Sequence, residues 1–173
     1  PSERDRRTRI YLHLGVVRNV VSVKLNAKDL GVVWTAPWRV EITDALLIPI
    51  RRGKVIRSMQ AIFPDKNNPL SRDKDFLSGG QKSGCYFKIG DLPDKSDRDA
   101  VLVICEGYAT GATIHEATGF PVFVAFDASN VVEVTARVRD VYGLARIIVA
   151  ADNDAWTTQP VENPGVHFAR IAA

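Results

Sequence analysis

Two grammars of apolar and polar positions follow one another along this chain of 173 residues. In the first part the apolar residues come in short runs broken by charges and turn formers. Residues 45–50, ALLIPI, and residues 54–63, KVIRSMQAIF, read as two strands joined by a turn at Arg51-Arg52-Gly53. Shorter strands are expected at residues 75–77 and 85–89, separated by Ser78-Gly79-Gly80, and together they predict an antiparallel, β-rich unit. Residues 10–40 have a mixed pattern that favours no single element. Residues 1–9, PSERDRRTR, are too charged to join a core and read as a frayed end or the tail of a linker.

Residues 91–99, DLPDKSDRD, have no apolar periodicity and carry a proline, which marks a linker. Beyond them the pattern changes. Residues 101–105 are a continuous apolar run, 108–118 are compatible with a helix, and 121–126 form a second apolar run. Val131, Val134, Val138 and Val141 recur at helical spacing, a third run lies within 146–151, and a last helix begins near Pro164. The order is β-α-β-α-β-α, and strands that are apolar throughout belong to a parallel sheet covered on both faces. The expected fold is therefore α/β: a parallel sheet over 99–173, preceded by a smaller basic β-rich (α+β) subdomain over 1–98.

Charge sharpens this division. The net charge is only +3, but residues 1–98 hold 19 Lys and Arg against 11 Asp and Glu, whereas 99–173 hold 4 against 9. No lysine follows Lys95. A basic first part suits a phosphate backbone and an acidic second part suits cations, although an ordinary solvated surface can carry the same asymmetry. No run approaches the roughly 20 apolar residues of a membrane span, and no signal-peptide core opens the chain, so a cytoplasmic protein with no membrane contact is expected. Cys85 and Cys105 lie far apart without a CxxC pattern, which points to thiols and not to zinc, and His13, His115 and His167 are equally scattered. Met59 is the only methionine and the chain ends inside a helical pattern, so a fragment of a longer protein, truncated at its C-terminus, is expected.

In an open parallel sheet, ligands bind beyond the carboxyl ends of the strands. The first strand of the second part ends in Glu106-Gly107, the second in Asp127 and the third in Asp152-Asn153-Asp154, so each delivers an acid to one rim. Carboxylates gathered at one edge repel each other unless a cation neutralises them, and oxygen-only donors select hard ions such as Mg²⁺ or Mn²⁺. Gly107 fits a tight turn or a close approach to a ligand. The plainer readings are that Asp152-Asn153-Asp154 forms Asx turns and that Asp127, with Ser129, caps the next helix. Taken one at a time those readings are the stronger; the three rim sites together favour function.

Cys105-Glu106-Gly107-Tyr108, followed by Ala150-Ala151-Asp152-Asn153-Asp154, resembles the Toprim signature of topoisomerases, primases and some nucleases. The wider run, with LLIPI, MQAIF, DKDFLSGG and SGCYFKIG, then EGYATGATIHEATGFPVFVAFDASN, and finally NPG before ARIAA, is similar to the Toprim primases of conjugative plasmids and prophages. It covers most of residues 47–173. Residues 1–40 match poorly, and an insertion over 156–163 departs from the pattern.

The resemblance implies a DNA primase, a nucleotidyltransferase that makes short primers on single-stranded DNA from nucleoside triphosphates. Glu106 would be a metal ligand or general acid/base, Asp152 and Asp154 ligands of Mg²⁺ or Mn²⁺, and Asp127 an auxiliary carboxylate. Lys74, Lys82 and Lys88, beside the Gly79-Gly80 and Gly84 loops, are the expected nucleic-acid and nucleotide contacts, each equally compatible with a solvated strand edge. Tyr86 and Phe87 should point to opposite faces, leaving at most one to stack on a base. A helicase or another replication domain is the expected partner. The second reading is a Toprim metal-dependent nuclease, and a third is a non-catalytic DNA-binding module of a replication protein. A phospho-accepting receiver domain centred on Asp127 would need a lysine at a later strand end, and none exists.

Overall fold

The computed structural model describes residues 45–63 and 73–173 in full, together with the backbone of four strands between residues 10 and 42. The expected frayed end over 1–9 lies outside the described residues. Strand β1 (Ile10–His13) pairs antiparallel with β4 (Arg39–Ile42), and β2 (Val21–Leu25) with β3 (Lys28–Val33). Strands β5 (Leu46–Arg52), β6 (Val55–Ile62) and β7 (Lys74–Phe76) form a sheet in that order, with β6 and β7 antiparallel. Arg51 and Arg52 continue β5, so the turn falls at Gly53-Lys54, where Gly53 has φ 60°. That left-handed conformation suits glycine.

The chain divides into two compact units, one made of Pro1–Ile48 with Met59–Gly80, the other of Pro49–Ser58 with Gln81–Ala173. In the first, Ala45 and Ala61 are buried with Leu47 and Phe63 packed against them. The tip of the β5–β6 hairpin belongs to the second unit. There Arg51 and Tyr86 exchange backbone hydrogen bonds of 2.9 and 2.8 Å, and the Gln81 N–H donates to the Arg57 carbonyl at 3.2 Å.

The second unit is built on a four-stranded sheet of order β11-β9-β10-β8, with β8 (Phe87–Ile89), β9 (Val101–Cys105), β10 (Val122–Val124) and β11 (Arg146–Ala150). Strands β9, β10 and β11 are parallel, and β8 runs antiparallel beside β10. This corrects the grouping of residues 85–89 with the antiparallel first part. The charged linker over 91–99 separates β8 from β9 in composition, but ladder pairing follows open backbone groups, and β8 covers those of β10.

Helices α1 (Tyr108–Thr118), α2 (Ala128–Val141) and α3 (Pro164–Ala172) follow β9, β10 and β11. The chain steps from β9 to β10 through α1 and returns past β9 to β11 through α2. Right-handed crossovers in opposite directions place the two helices on opposite faces. Alternation along the strands matches. Leu102, Ile104, Phe123 and Ala125 form one buried cluster with Val131, Val134 and Val138 of α2, and Ile147, Val149 and Ala172 pack on its edge. Cys105, Val122 and Val124 face α1, at Gly111.

Gly111 sets how closely α1 lies on the sheet. A Cβ there would stand 2.9 Å from Val124 Cγ2 and 3.0 Å from Cys105 Sγ. Alanine gains about 1 kcal/mol of helix propensity, but the stiff valine cannot yield, and overpacking of this kind costs about 1–3 kcal/mol. Gly111→Ala is therefore expected to lower the denaturant midpoint; an unchanged or higher midpoint would show that the α1 contact is loose.

Candidate active site

Strands β9 and β11 are paired in register from Val101↔Arg146 to Cys105↔Ala150, so they end level with one another. Glu106 and Asp152 leave the sheet from neighbouring strands at the same edge, as parallel α/β architecture requires of a site. Their meeting point is the Cys105 thiol, which is wholly buried. Burial pushes that thiol up to about 12, and the negative charges of Asp152 and then Glu106 push in the same direction. Two carboxylates therefore converge on one buried atom.

The backbone behind Glu106 is held by strand β10. Its carbonyl accepts from the Phe126 N–H at 2.8 Å, one step beyond the Ala125 N–H to Cys105 carbonyl bond. Phe126 makes this bond with φ 69°, while buried at 7% exposure. A bulky residue in the left-handed region costs on the order of 1–3 kcal/mol and is retained where surrounding packing enforces it. Apolar patterning identifies Phe126 as core and carries no signal for that conformation.

Asp154 faces the start of α3. Its Oδ2 accepts the Gly165 N–H at 3.1 Å, its own N–H donates to Asn163 Oδ1 at 3.0 Å, and its carbonyl accepts from the Thr157 N–H at 2.8 Å. Asn163, the N-cap, also accepts from the Val166 N–H and donates through Nδ2 to Asn153 Oδ1 at 2.9 Å. These bonds satisfy donors left open at a helix start, where a carboxylate is also favoured by the helix dipole. Gly165 makes the arrangement possible, because a Cβ there would lie 2.2 Å from the Asp152 carbonyl oxygen. Gly165→Ala is expected to push α3 off the rim, lower the melting temperature and remove activity together; a variant with full stability and full activity would show that α3 does not fix Asp152.

Asp127 takes the plainer of its two roles. It caps α2, with Oδ1 accepting the Ser129 N–H at 3.1 Å and the Ser129 hydroxyl at 2.7 Å, while Oδ2 lies 3.4 Å from Lys82 Nζ. Partial burial raises its carboxyl, but the Ser129 hydrogen bonds and the Lys82 charge outweigh that and leave it below the usual range. Lys82 is thus partnered with an acid. Lys88 is exposed on β8, and Lys74 is exposed on β7 in the other unit. Tyr86 and Phe87 do point to opposite faces: Tyr86 packs edge-on against Phe123, and Phe87 lies 5.9 Å from the Tyr108 ring. Gly107 is not required by its conformation. Its φ is −94°, and a Cβ would meet only Thr110 Oγ1 at 3.5 Å.

Among the described residues no three His, Cys, Asp or Glu side chains are gathered closely enough to hold a metal ion. The donor chemistry nonetheless fits a hard divalent cation, since Glu106 and Asp152 present only carboxylate oxygen at one edge. Asp154 would join them by exchanging its Gly165 partner. Cys85 and Cys105 are free thiols.

The residue most clearly missed by sequence reading is Asn130, buried at 7% exposure near the start of α2. Its Oδ1 accepts the Gly84 N–H at 2.7 Å, and Nδ2 donates to the carbonyls of Ala125 at 2.7 Å, Cys85 at 3.0 Å and Lys82 at 3.2 Å. One amide ties the loop before β8 to the end of β10.

Comparison with known proteins agrees with this geometry. A family model described as "Toprim domain" matches residues 101–172. Two proteins of Escherichia coli, both named DNA primase TraC, are 36% identical over 102 residues and 34% identical over 101. Each alignment covers 58% of this chain but only 9% and 7% of those longer proteins. No solved structure matches the chain. No helix among the described residues is long and apolar enough to cross a membrane. The strand order, the level ends of β9 and β11 and the matched segment lead to one conclusion: residues 101–172 form a Toprim domain, in a chain similar to DNA primases.

Proposed function

We propose that this chain is a catalytic-core segment of a DNA primase, making short primers on single-stranded DNA by divalent-metal-dependent nucleotidyl transfer in the cytoplasm. The observation that supports this most is the in-register pairing of β9 with β11, which brings Glu106 and Asp152 to one edge beside the Cys105 thiol. Similarity to the TraC primases supports the choice of primase among Toprim enzymes.

In this reading a primer 3′-hydroxyl attacks the α-phosphorus of a nucleoside triphosphate, a new phosphodiester forms and pyrophosphate leaves. Glu106 and Asp152 would hold Mg²⁺ or Mn²⁺, and Asp154 would be the third carboxylate. The bound cation supplies a lowered hydroxyl pKa and neutralises charge on the departing pyrophosphate. Glu106 alternatively takes the proton from the hydroxyl directly. Asp127 keeps the start of α2 and Lys82 in place and contributes no more than an auxiliary charge. The basic part over 1–98, with Lys74, and the exposed Lys88 would attract template and triphosphate through phosphate contacts. A helicase or other replication domain would complete the assembly.

The test is incorporation of labelled nucleotides on single-stranded DNA with Mg²⁺ or Mn²⁺, against the same reaction in chelator. Products that depend on metal support a primase. Metal-dependent degradation of the template without synthesis would make the site a nuclease, and DNA binding with neither activity would leave a non-catalytic module.

A further inference from the structure

The second unit holds a groove remote in sequence from the acids of the rim, with a volume of about 300 Å³. Its apolar lining includes Tyr86, Phe123, Val138 and Tyr142, and Arg52 and Arg137 stand on its border. These residues come from the β5–β6 hairpin tip, from the strand before β9 and from α2, so no local pattern announces the site. The hairpin tip is densely cationic. Arg51, Arg52, Lys54 and Arg57 fall within seven residues, and Arg51 Nη1 closes the turn on the Lys54 carbonyl at 3.3 Å.

Arg52 and Arg57 are exposed and make no ion pair among the described residues. Arg137 pairs with Glu133 at 2.8 Å and lies over Gly84, where a Cβ would come within 2.5 Å of its Nε. That Nε is buried with no hydrogen-bond partner. The guanidinium is therefore held by packing against the glycine backbone as well as by its acid. The fields of Arg52, Arg57 and Arg137 all reach the buried Cys85 thiol next to Gly84 and oppose the upward push of burial there. Three guanidinium groups thus converge on one corner, against Glu133 and the groove-lining Asp140.

We propose that this groove binds single-stranded nucleic acid, with backbone phosphates on Arg52, Arg57 and Arg137 and one unpaired base against the apolar floor beside Tyr86. Unpaired guanidinium groups match phosphate oxygens in a forked geometry. An aromatic floor accepts any base face, which a duplex cannot offer. The proposal rests on reading the chain as a nucleic-acid enzyme. It adds a second contact surface, distinct from Lys74, Lys82 and Lys88, that would keep a strand on the domain independently of the reacting acids.

The experiment is fluorescence-anisotropy titration of the intact chain with a labelled single-stranded oligonucleotide at several salt concentrations. The double variant Arg52→Ala/Arg57→Ala changes only exposed side chains, and its melting curve confirms that it stays folded. It should bind about tenfold more weakly, with a salt slope reduced by about 2, one for each lost phosphate contact. The wild-type chain should bind an abasic oligonucleotide of equal length several-fold more weakly than the normal one, and duplex more weakly than single strand. Glu106→Gln should bind as tightly as wild type, so a failure of catalysis is separable from a failure of this site. An unchanged affinity and slope in the double variant would overturn the proposal. So would equal binding of duplex, or displacement of a bound acidic peptide with no effect on DNA, which would mark a protein-docking surface.

Discussion

Glu106→Gln should reduce metal-dependent nucleotide incorporation by on the order of 10²–10⁴-fold, and Asp152→Asn should do the same. Both residues sit at the level ends of adjacent parallel strands, half-buried, and both carboxylates act on the same buried thiol. Each substitution keeps size and polarity while removing a negative charge, so folding should be nearly unchanged. Asp154 separates structure from chemistry. In Asp154→Asn the side-chain carbonyl can still accept the Gly165 N–H, whereas Asp154→Ala leaves that donor open and should melt at lower temperature. Loss of incorporation in Asp154→Asn with an intact melting curve would place Asp154 among the reacting acids. Full activity in Glu106→Gln would remove Glu106 from the site and with it the proposed reaction.

Asn130→Ala should be the most damaging single change to the fold. The substitution deletes one acceptor and the donors to three carbonyls, all at the junction of the 82–85 loop with β10. Each buried group left without a partner costs about 1–3 kcal/mol, so a total on the order of 3 kcal/mol or more is expected. Water can refill part of such a gap only where it finds several polar partners. Asn130→Asp should be no rescue, because a carboxylate keeps the bond from Gly84 but faces three carbonyl oxygens without a donor. Equilibrium unfolding in urea measures both. A cost below about 1 kcal/mol for Asn130→Ala would mean that the loop before β8 is held by its backbone bridge alone.

The same residues show what could be read along the chain. The alternation of strands and helices after residue 100 was legible because a buried parallel strand needs unbroken apolar residues and α2 needs its valines three and four apart. Pro164 after Asn163 announced α3, since proline is tolerated in the first turn and asparagine caps it. Opposite orientations of Tyr86 and Phe87 follow from the two-residue period of extended backbone. Strand β8 was assigned to the wrong sheet because pairing partners are chosen by geometry across 34 residues of chain, from Lys88 to Val122, and the charged linker between them carries no pairing information.

By itself, therefore, the amino-acid sequence determined the α/β class of residues 101–172, the positions of its elements and the acids that leave the sheet at Glu106 and Asp152. These depend on local periodicity and on the rule that strand ends face one edge. Only the tertiary structure decided which acids share a neighbourhood: Asp127 went to a helix cap and to Lys82, Asp154 to the start of α3, and Glu106 and Asp152 to a common thiol. It also brought Arg52 and Arg57 to the same corner as Arg137 and gave Asn130 its four backbone partners. The physical reason is range. Periodicity and capping act over a few residues, whereas hydrogen bonds and charge are satisfied by whatever group the packed fold brings within a few ångströms, however far away it lies in the chain.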